Sequence, residues 1–460
     1  MNFQHVIDKV PDYKVFLTVD EMDESTRKLA EEFPDAVTVF EAGKSRDGHP
    51  IQCIKIGDGP KNALCFACPH PNEPIGAMTM EYLSRALAED KALRDELGFT
   101  WYIIKCADPD GTRLNENWFK GPYNIFNYIK NYYRPVGYEQ VEWTFPFEYK
   151  EYRFDKPLPE TQVLMKIIDE TRPEFMYSLH NGGLCGAYWY ISHDLPELYE
   201  GFHNSARKED VPLDLGEPET PFATEFAPAI FSLNGQDEYY DYMEKHTGKP
   251  PTLDVGADSH TYASSKADCV TLITELPYFF DPRIEDQSDS DISRREALLT
   301  EADQSEAFFE MLEGLVGGIR SYISQDNPFF KLMDPSSPAR KERNEAQRKW
   351  AMSDPEFEKP AKGSQVFSSF VVSKFYRGLS LGLAVRTCEF ELERLAKEGS
   401  NDQEAITKLK AVLQEGLRQL RQYTDELERE LNYTVIPIQK LVRIQLECGL
   451  LVSNHISKNR

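Results

Sequence analysis

The chain has 460 residues, 40% hydrophobic and 12% aromatic, enough apolar material for a real core and too much length for one core alone, since single cores stop growing at roughly 250–300 residues. Acidic residues outnumber basic ones by 77 to 52, a net charge of -25, which excludes a nucleic-acid partner because phosphate backbones must be met by clustered Lys and Arg. The first residues, Met1-Asn2-Phe3-Gln4-His5-Val6 followed by Asp8, Lys9 and Asp12, form no charged-then-apolar leader, no apolar run reaches membrane-spanning length, and eight cysteines in so long a chain make no disulfide scaffold, so a cytoplasmic location without membrane contact is expected.

From Val37 to about Pro282, β-rich apolar runs alternate with segments of helical period, the pattern of an α/β sheet. The strands expected are Val37–Ala42, Gln52–Ile56, Asn62–Cys68, Thr100–Cys106, Phe175–Leu179, Ala187–Ser192 and Val270–Thr274, several of them continuous apolar runs that suit burial on both faces. Between them Glu73–Glu89 and Pro159–Arg172 carry apolar residues at helical spacing. Cys65 and Cys68 form a C-x-x-C pattern, but inside an apolar strand they read as buried thiols. Regularity fails over 193–258, where Pro212, Pro218, Pro221, Pro228, Pro250 and Pro251 interrupt; this reads as an insertion that walls a pocket. After Leu298 the pattern is helical, with Phe308–Ser324, Phe367–Lys397 and Asp402–Leu431 amphipathic and the charged stretch Pro335–Pro360 linking them. The expected architecture is a mixed, largely parallel sheet flanked by helices over residues 1–298, then an all-α C-terminal domain over 299–460 that serves as lid, support or homo-oligomer contact.

Chemistry concentrates at strand ends. The strand Asn62–Cys68 runs into Pro69-His70-Pro71-Asn72-Glu73, an imidazole and a carboxylate three residues apart at the carboxyl edge where open α/β sheets build sites. A catalytic zinc takes three N or O ligands and keeps one position open, so one ligand is missing. Of the nine histidines, His180 is best placed, directly after Phe175–Leu179. Thr271-Leu272-Ile273-Thr274 ends in Glu275, a carboxylate that would sit beside a zinc-bound water as its general base.

In this order these segments resemble the M14 family of zinc carboxypeptidases, carboxypeptidase A-like and of the same superfamily as succinylglutamate desuccinylase and aspartoacylase. Phe33-Pro34-Asp35-Ala36 with Gly43–Ile51 resembles the family's opening hairpin, Asp108-Pro109-Asp110-Gly111 its N-P-D-G turn, Pro159-Glu160-Thr161 the helix before Ser178-Leu179-His180, and Ile273-Thr274-Glu275-Leu276 the strand carrying its base, a likeness over roughly residues 15–285. The resemblance implies one zinc per chain on His70, Glu73 and His180, with Glu275 as base. It further implies an arginine on the scissile carbonyl, for which Arg113 is the candidate, and a carboxylate anchor, for which Arg134 is the candidate. Where the family has D-x-N-R, this chain has Asn131-Tyr132-Tyr133-Arg134; Asn131 then stands where an acid orients a ligating histidine, and Asn115 or Asn181 substitutes for the clamp's asparagine. Tyr262 is the candidate for the family's catalytic tyrosine. The expected activity is hydrolysis of a C-terminal peptide bond by Glu275-assisted attack of zinc-bound water; the alternatives are a zinc amidohydrolase of N-acyl amino acids or other small amides, and a binding or assembly protein that has lost catalysis.

Overall fold

The computed structural model describes residues 3–459. Nine strands form one sheet: β1 Val37–Lys44, β2 Pro50–Ile56, β3 Lys61–Ala67, β4 Phe99–Ile104, β5 Phe175–Leu179, β6 Tyr188–Ile191, β7 Glu225–Ala227, β8 Ile230–Ser232 and β9 Val270–Glu275. Their spatial order is β1-β2-β4-β3-β5-β9-β6-β8-β7. Strands β4, β3, β5 and β9 run parallel in the middle, while β1–β2, β2–β4, β9–β6 and β7–β8 pair antiparallel, giving the mixed sheet expected. The short pair β7 and β8 lies in the proline-broken insertion, where three-residue strands leave no period to read.

The continuous apolar run of β3 reflects burial on both faces. Ala63, Cys65 and Ala67 point into the core shared with helices α1 (Val19–Glu32) and α2 (Ile75–Glu89), whereas Leu64 and Phe66 point into a second core with Val163, Leu164, Ile167 and Ile168 of α3 (Pro159–Thr171). Beyond residue 298 the chain is helical, with α4 Ser373–Lys397, α5 Gln403–Glu430 and α6 Ile438–Asn459, except for the short strands Pro360–Lys362 and Thr434–Val435, which depart from the all-α expectation. The stretch expected as a charged link contains a helix, Pro338–Ser353, started by a proline in its first turn, where the missing N–H costs nothing. Helix α6 returns to the sheet and packs on α2 and β5, close enough that a Cβ at Gly449 would meet the Tyr177 ring at 2.7 Å. None of the eight cysteines, Cys65 and Cys68 included, is in a disulfide.

Register places the site. Ala67 pairs with Leu179, and Leu179 with Thr274, so β3, β5 and β9 end level with one another. His70, His180 and Glu275 therefore leave the sheet at one edge, the carboxyl end of its parallel centre. Gly76 lets α2 start against that edge: a Cβ there would stand 2.5 Å from the Leu179 Cβ.

Candidate metal centre

The loop after β3 turns sharply. Cys68 is left-handed, with φ of 49°, its carbonyl accepts from Asp108 N at 3.0 Å, and Glu73 N closes a turn on His70 O at 3.1 Å. Tyr278 Oη donates to Asn72 O at 2.8 Å. Across the edge Asn181 ties this loop to the next: its Oδ1 accepts from Ile75 N at 3.3 Å, and its own N–H reaches Glu73 Oε2 at 3.4 Å. The first turn of α2 thus takes its cap from the residue after His180.

Three donor atoms converge between these loops. His180 Nδ1 lies 2.9 Å from Glu73 Oε2 and 3.0 Å from His70 Nδ1, and His70 Nδ1 lies 3.1 Å from Glu73 Oε2. Tetrahedral zinc with ligand bonds of 2.0–2.2 Å needs ligand atoms about 3.3–3.6 Å apart, so an opening of a few tenths of an ångström would admit the ion. Two imidazole nitrogens facing one carboxylate oxygen at such separations is a donor set of the right number and chemistry for zinc, and all three side chains are buried. Burial and the charge of Arg134 drive the His70 pKa down to about 3, which keeps that ring neutral with a lone pair to offer. At His180 burial works in the same direction, but Glu142, Glu73 and Glu275 outweigh it and raise the pKa to about 10. Burial favours the neutral form of Glu73, yet His70, Arg134 and His180 hold its carboxyl below the usual range.

Glu275 is half-buried at the end of β9, in register with Tyr188, with its Oε2 enclosed and free of hydrogen bonds. Burial and the Glu73 and Glu219 carboxylates push its pKa well up, while His180 and Arg134 pull the other way, so the group lies within electrostatic reach of the cluster. Arg134 stands beside it: Nη1 reaches Glu73 Oε1 at 3.3 Å and Nε donates to Gln140 Oε1 at 3.2 Å.

Four expected participants are elsewhere. Arg113 ends a short helix that aims it outward, where Nη2 pairs with Asp20 at 2.6 Å. Tyr262 donates to Asp169 on α3 at 2.8 Å and packs on Phe145. Asn115 is spent on scaffolding: Nδ2 bonds Gly111 O and Tyr133 O, while Oδ1 accepts from Tyr133 N and Trp118 Nε1. Asn131 bonds Asn127 within its own helix at 2.9 and 3.0 Å and reaches neither His70 nor His180. Asn181, by contrast, is at the cluster, with Nδ2 buried and without a partner.

Other residues surround the cluster. Ser178 Oγ lies 2.8 Å from His180 Nε2, with the buried Glu142 behind it. Tyr188 Oη donates to Glu219 Oε2 of the insertion at 3.2 Å, and Tyr376 Oη of α4 accepts from Gly183 N at 3.1 Å. From α6, Gln445 Nε2 donates to the His180 carbonyl at 2.8 Å. Glu142, Glu219, Tyr376 and Gln445 come from segments remote from the cluster, so only the fold reveals them, whereas Ser178 directly precedes the Leu179-His180 pair.

Residues 22–213 match the model of a family described as zinc carboxypeptidase, Peptidase M14, which bears out the resemblance read from the motifs. A curated relative, zinc carboxypeptidase A 1 of Anopheles gambiae, is 28% identical over 120 residues, 24% of this chain; the match spans only 27% of that relative's length. Similar solved structures include carboxypeptidase A of Helicoverpa armigera, 19% identical with a TM-score of 0.37 over 57% of this chain and 65% of that one. A metallo-carboxypeptidase of Burkholderia cenocepacia is 16% identical with a TM-score of 0.34, covering 57% and 60%. No helix among the described residues is long and apolar enough to cross a membrane.

Proposed function

We propose, from the zinc carboxypeptidase match over residues 22–213 and the convergence of His70, Glu73 and His180 beside Glu275, that the chain is a zinc-dependent hydrolase of C-terminal amide bonds. His70 Nδ1, His180 Nδ1 and a Glu73 carboxylate oxygen would hold the ion. Zinc so held supplies a Lewis acid and lowers the pKa of a coordinated water toward about 7. Glu275 Oε2, buried and unbonded, is the base of this reading: it takes the attacking water's proton and returns it to the leaving nitrogen. Arg134, anchored by Gln140 and Glu73, puts a fixed guanidinium on the same edge, where it suits a substrate carboxylate. With Arg113 paired to Asp20 and Arg134 suited to the carboxylate, polarisation of the scissile carbonyl would be supplied by the bound metal. The helical region walls the site through Tyr376 and Gln445.

The observation that carries this reading is the meeting of three ligand-type atoms within 3.2 Å of one another at the edge that also delivers Glu275. Substituting Glu275→Gln keeps the side chain's shape and should leave zinc bound while turnover of a peptide with a free C-terminus falls by about 10²–10⁴-fold. Full turnover in that variant refutes the mechanism.

A second reading moves the substrate to an N-acyl amino acid or another small amide. Its motive is that Asn115 is wholly engaged with Tyr133, Gly111 and Trp118 and cannot complete a carboxylate clamp. Cleavage of free peptides, C-terminally amidated peptides and N-acyl amino acids, compared side by side, separates the two: loss of cleavage on amidation supports the peptidase.

A further inference from the structure

A metal-binding imidazole must offer a lone pair on the nitrogen that faces the metal, so its proton has to sit on the other nitrogen. For His180 the converging atom is Nδ1, at 2.9 Å from Glu73 Oε2, and the proton must therefore be held at Nε2. In a buried position that N–H needs an acceptor. The nearest is Ser178 Oγ at 2.8 Å, a hydroxyl, and a hydroxyl can either accept from Nε2–H or donate to a bare Nε2. In the neutral ring, only the second choice puts the proton on Nδ1, where it would block the metal.

What decides between them is the next group. Glu142 is 3% exposed, on a short 3-10 turn, Val141–Trp143, and its Oε1 accepts from Ser178 Oγ at 3.2 Å and from Ser259 Oγ at 2.7 Å. The same oxygen lies 3.9 Å from His180 Nε2. With Ser178 Oγ donating to Glu142 Oε1, the hydroxyl proton is spent on the carboxyl oxygen and the hydroxyl's lone pairs are left to Nε2–H. Ser259 anchors the carboxylate from the other side. Asn131, which occupies the position where the sequence pattern has an acid, is bonded within its own helix and plays no part in this chain.

We propose that Glu142 is the positioning residue of the metal centre: through Ser178 it holds the proton of His180 on Nε2, leaving Nδ1 free to bind. This rests on the reading of His180 as a ligand. Replacing Glu142→Gln allows the amide NH₂ to face Ser178 and reverse the hydroxyl, at nearly unchanged volume.

The test is zinc affinity, measured by competition with a chromophoric chelator at fixed pH, on the full chain. Glu142→Gln is expected to weaken zinc binding by about 10–100-fold, with the thermal midpoint of the chelator-treated protein recording that the variant still folds. Ser178→Ala should weaken it in the same direction, and Asn131→Ala should leave it within about twofold of wild type. Long-range ¹H–¹⁵N spectra add a readout that packing alone would not move: His180 protonated at Nε2 in the zinc-loaded wild type, and a mixed tautomer in Glu142→Gln at partial loading. If wild type binds zinc and Glu142→Gln binds it equally well, the positioning role is overturned while the metal site stands. Should Glu142→Gln not fold, unchanged affinity in Ser178→Ala overturns it in the same way. A wild type that binds no zinc removes both claims.

Discussion

Replacing Gln445→Leu tests whether the last helix belongs to the working unit. Gln445 is fully buried on α6, and its Nε2 donates to the carbonyl of His180 at 2.8 Å while its Oε1 accepts from Thr79 Oγ1 at 2.8 Å. Leucine fills nearly the same volume, so the cavity contribution is small and the loss is one of hydrogen bonds. The His180 carbonyl would be left buried without Gln445 as its donor, at about 1–3 kcal/mol, whereas the Thr79 hydroxyl can fall back on the Ile75 carbonyl 3.2 Å away and costs less. The expected loss is about 2–4 kcal/mol, a large part of the roughly 5–15 kcal/mol that holds a domain folded. Urea unfolding of the chelator-treated protein measures it, and zinc affinity should fall in parallel because the backbone of a ligand is released. A variant within about 0.5 kcal/mol of wild type, binding zinc as tightly, would show that α6 merely covers the sheet.

Zinc binding should release protons. With its pKa raised to about 10, by Glu142 and Glu73 against the effect of burial, His180 is protonated at pH 7 in the metal-free protein, so affinity rises with pH and calorimetry in buffers of different ionisation enthalpy should find at least about one proton released per zinc; none would contradict the assignment of His180. Asp258 caps a helix through Thr261 N, and burial raises its pKa to about 7 from an unfolded value near 3.9; its stabilising protonation is complete below pH 4 and lost as pH rises through 7, so Asp258→Asn should flatten the stability profile between about pH 4 and 7, and an unchanged profile refutes this. Arg386 of α4 donates to the carbonyls of Leu114, Asn131 and Tyr132 and so holds the loop leading to Arg134. Arg386→Met should raise KM for a peptide substrate more than it lowers kcat; a pure kcat effect contradicts the anchoring role of Arg134.

The candidate ligands were legible because their chemistry coincides with their place in the chain. His180 directly follows an apolar run and His70 follows another after Cys68 and Pro69, and both runs are strands buried on both faces. Strand ends differ from the sequence reading by one or two residues, as expected where pairing rather than composition sets the limit. Arg113 was misplaced because closeness in sequence to the Asp108 turn says nothing about direction: on its short helix the side chain faces Asp20. Glu142 was invisible as one of 77 acids, since what distinguishes it is burial between Ser178 and Ser259, residues 36 and 117 positions away. Periodicity revealed the C-terminal helices but not that α6 carries a glutamine onto the His180 carbonyl.

The central claim is that His70, Glu73 and His180 hold one zinc ion in a form that supports hydrolysis. X-ray absorption at the zinc edge on the purified chain, with metal content measured on the same sample, tests it most directly. The account predicts about one zinc per chain, a first shell of two imidazole nitrogens with oxygen ligands at 2.0–2.2 Å, and loss of that signal in His180→Ala. Protein that folds, binds no zinc when it is supplied, or binds it equally well without His180 contradicts the account.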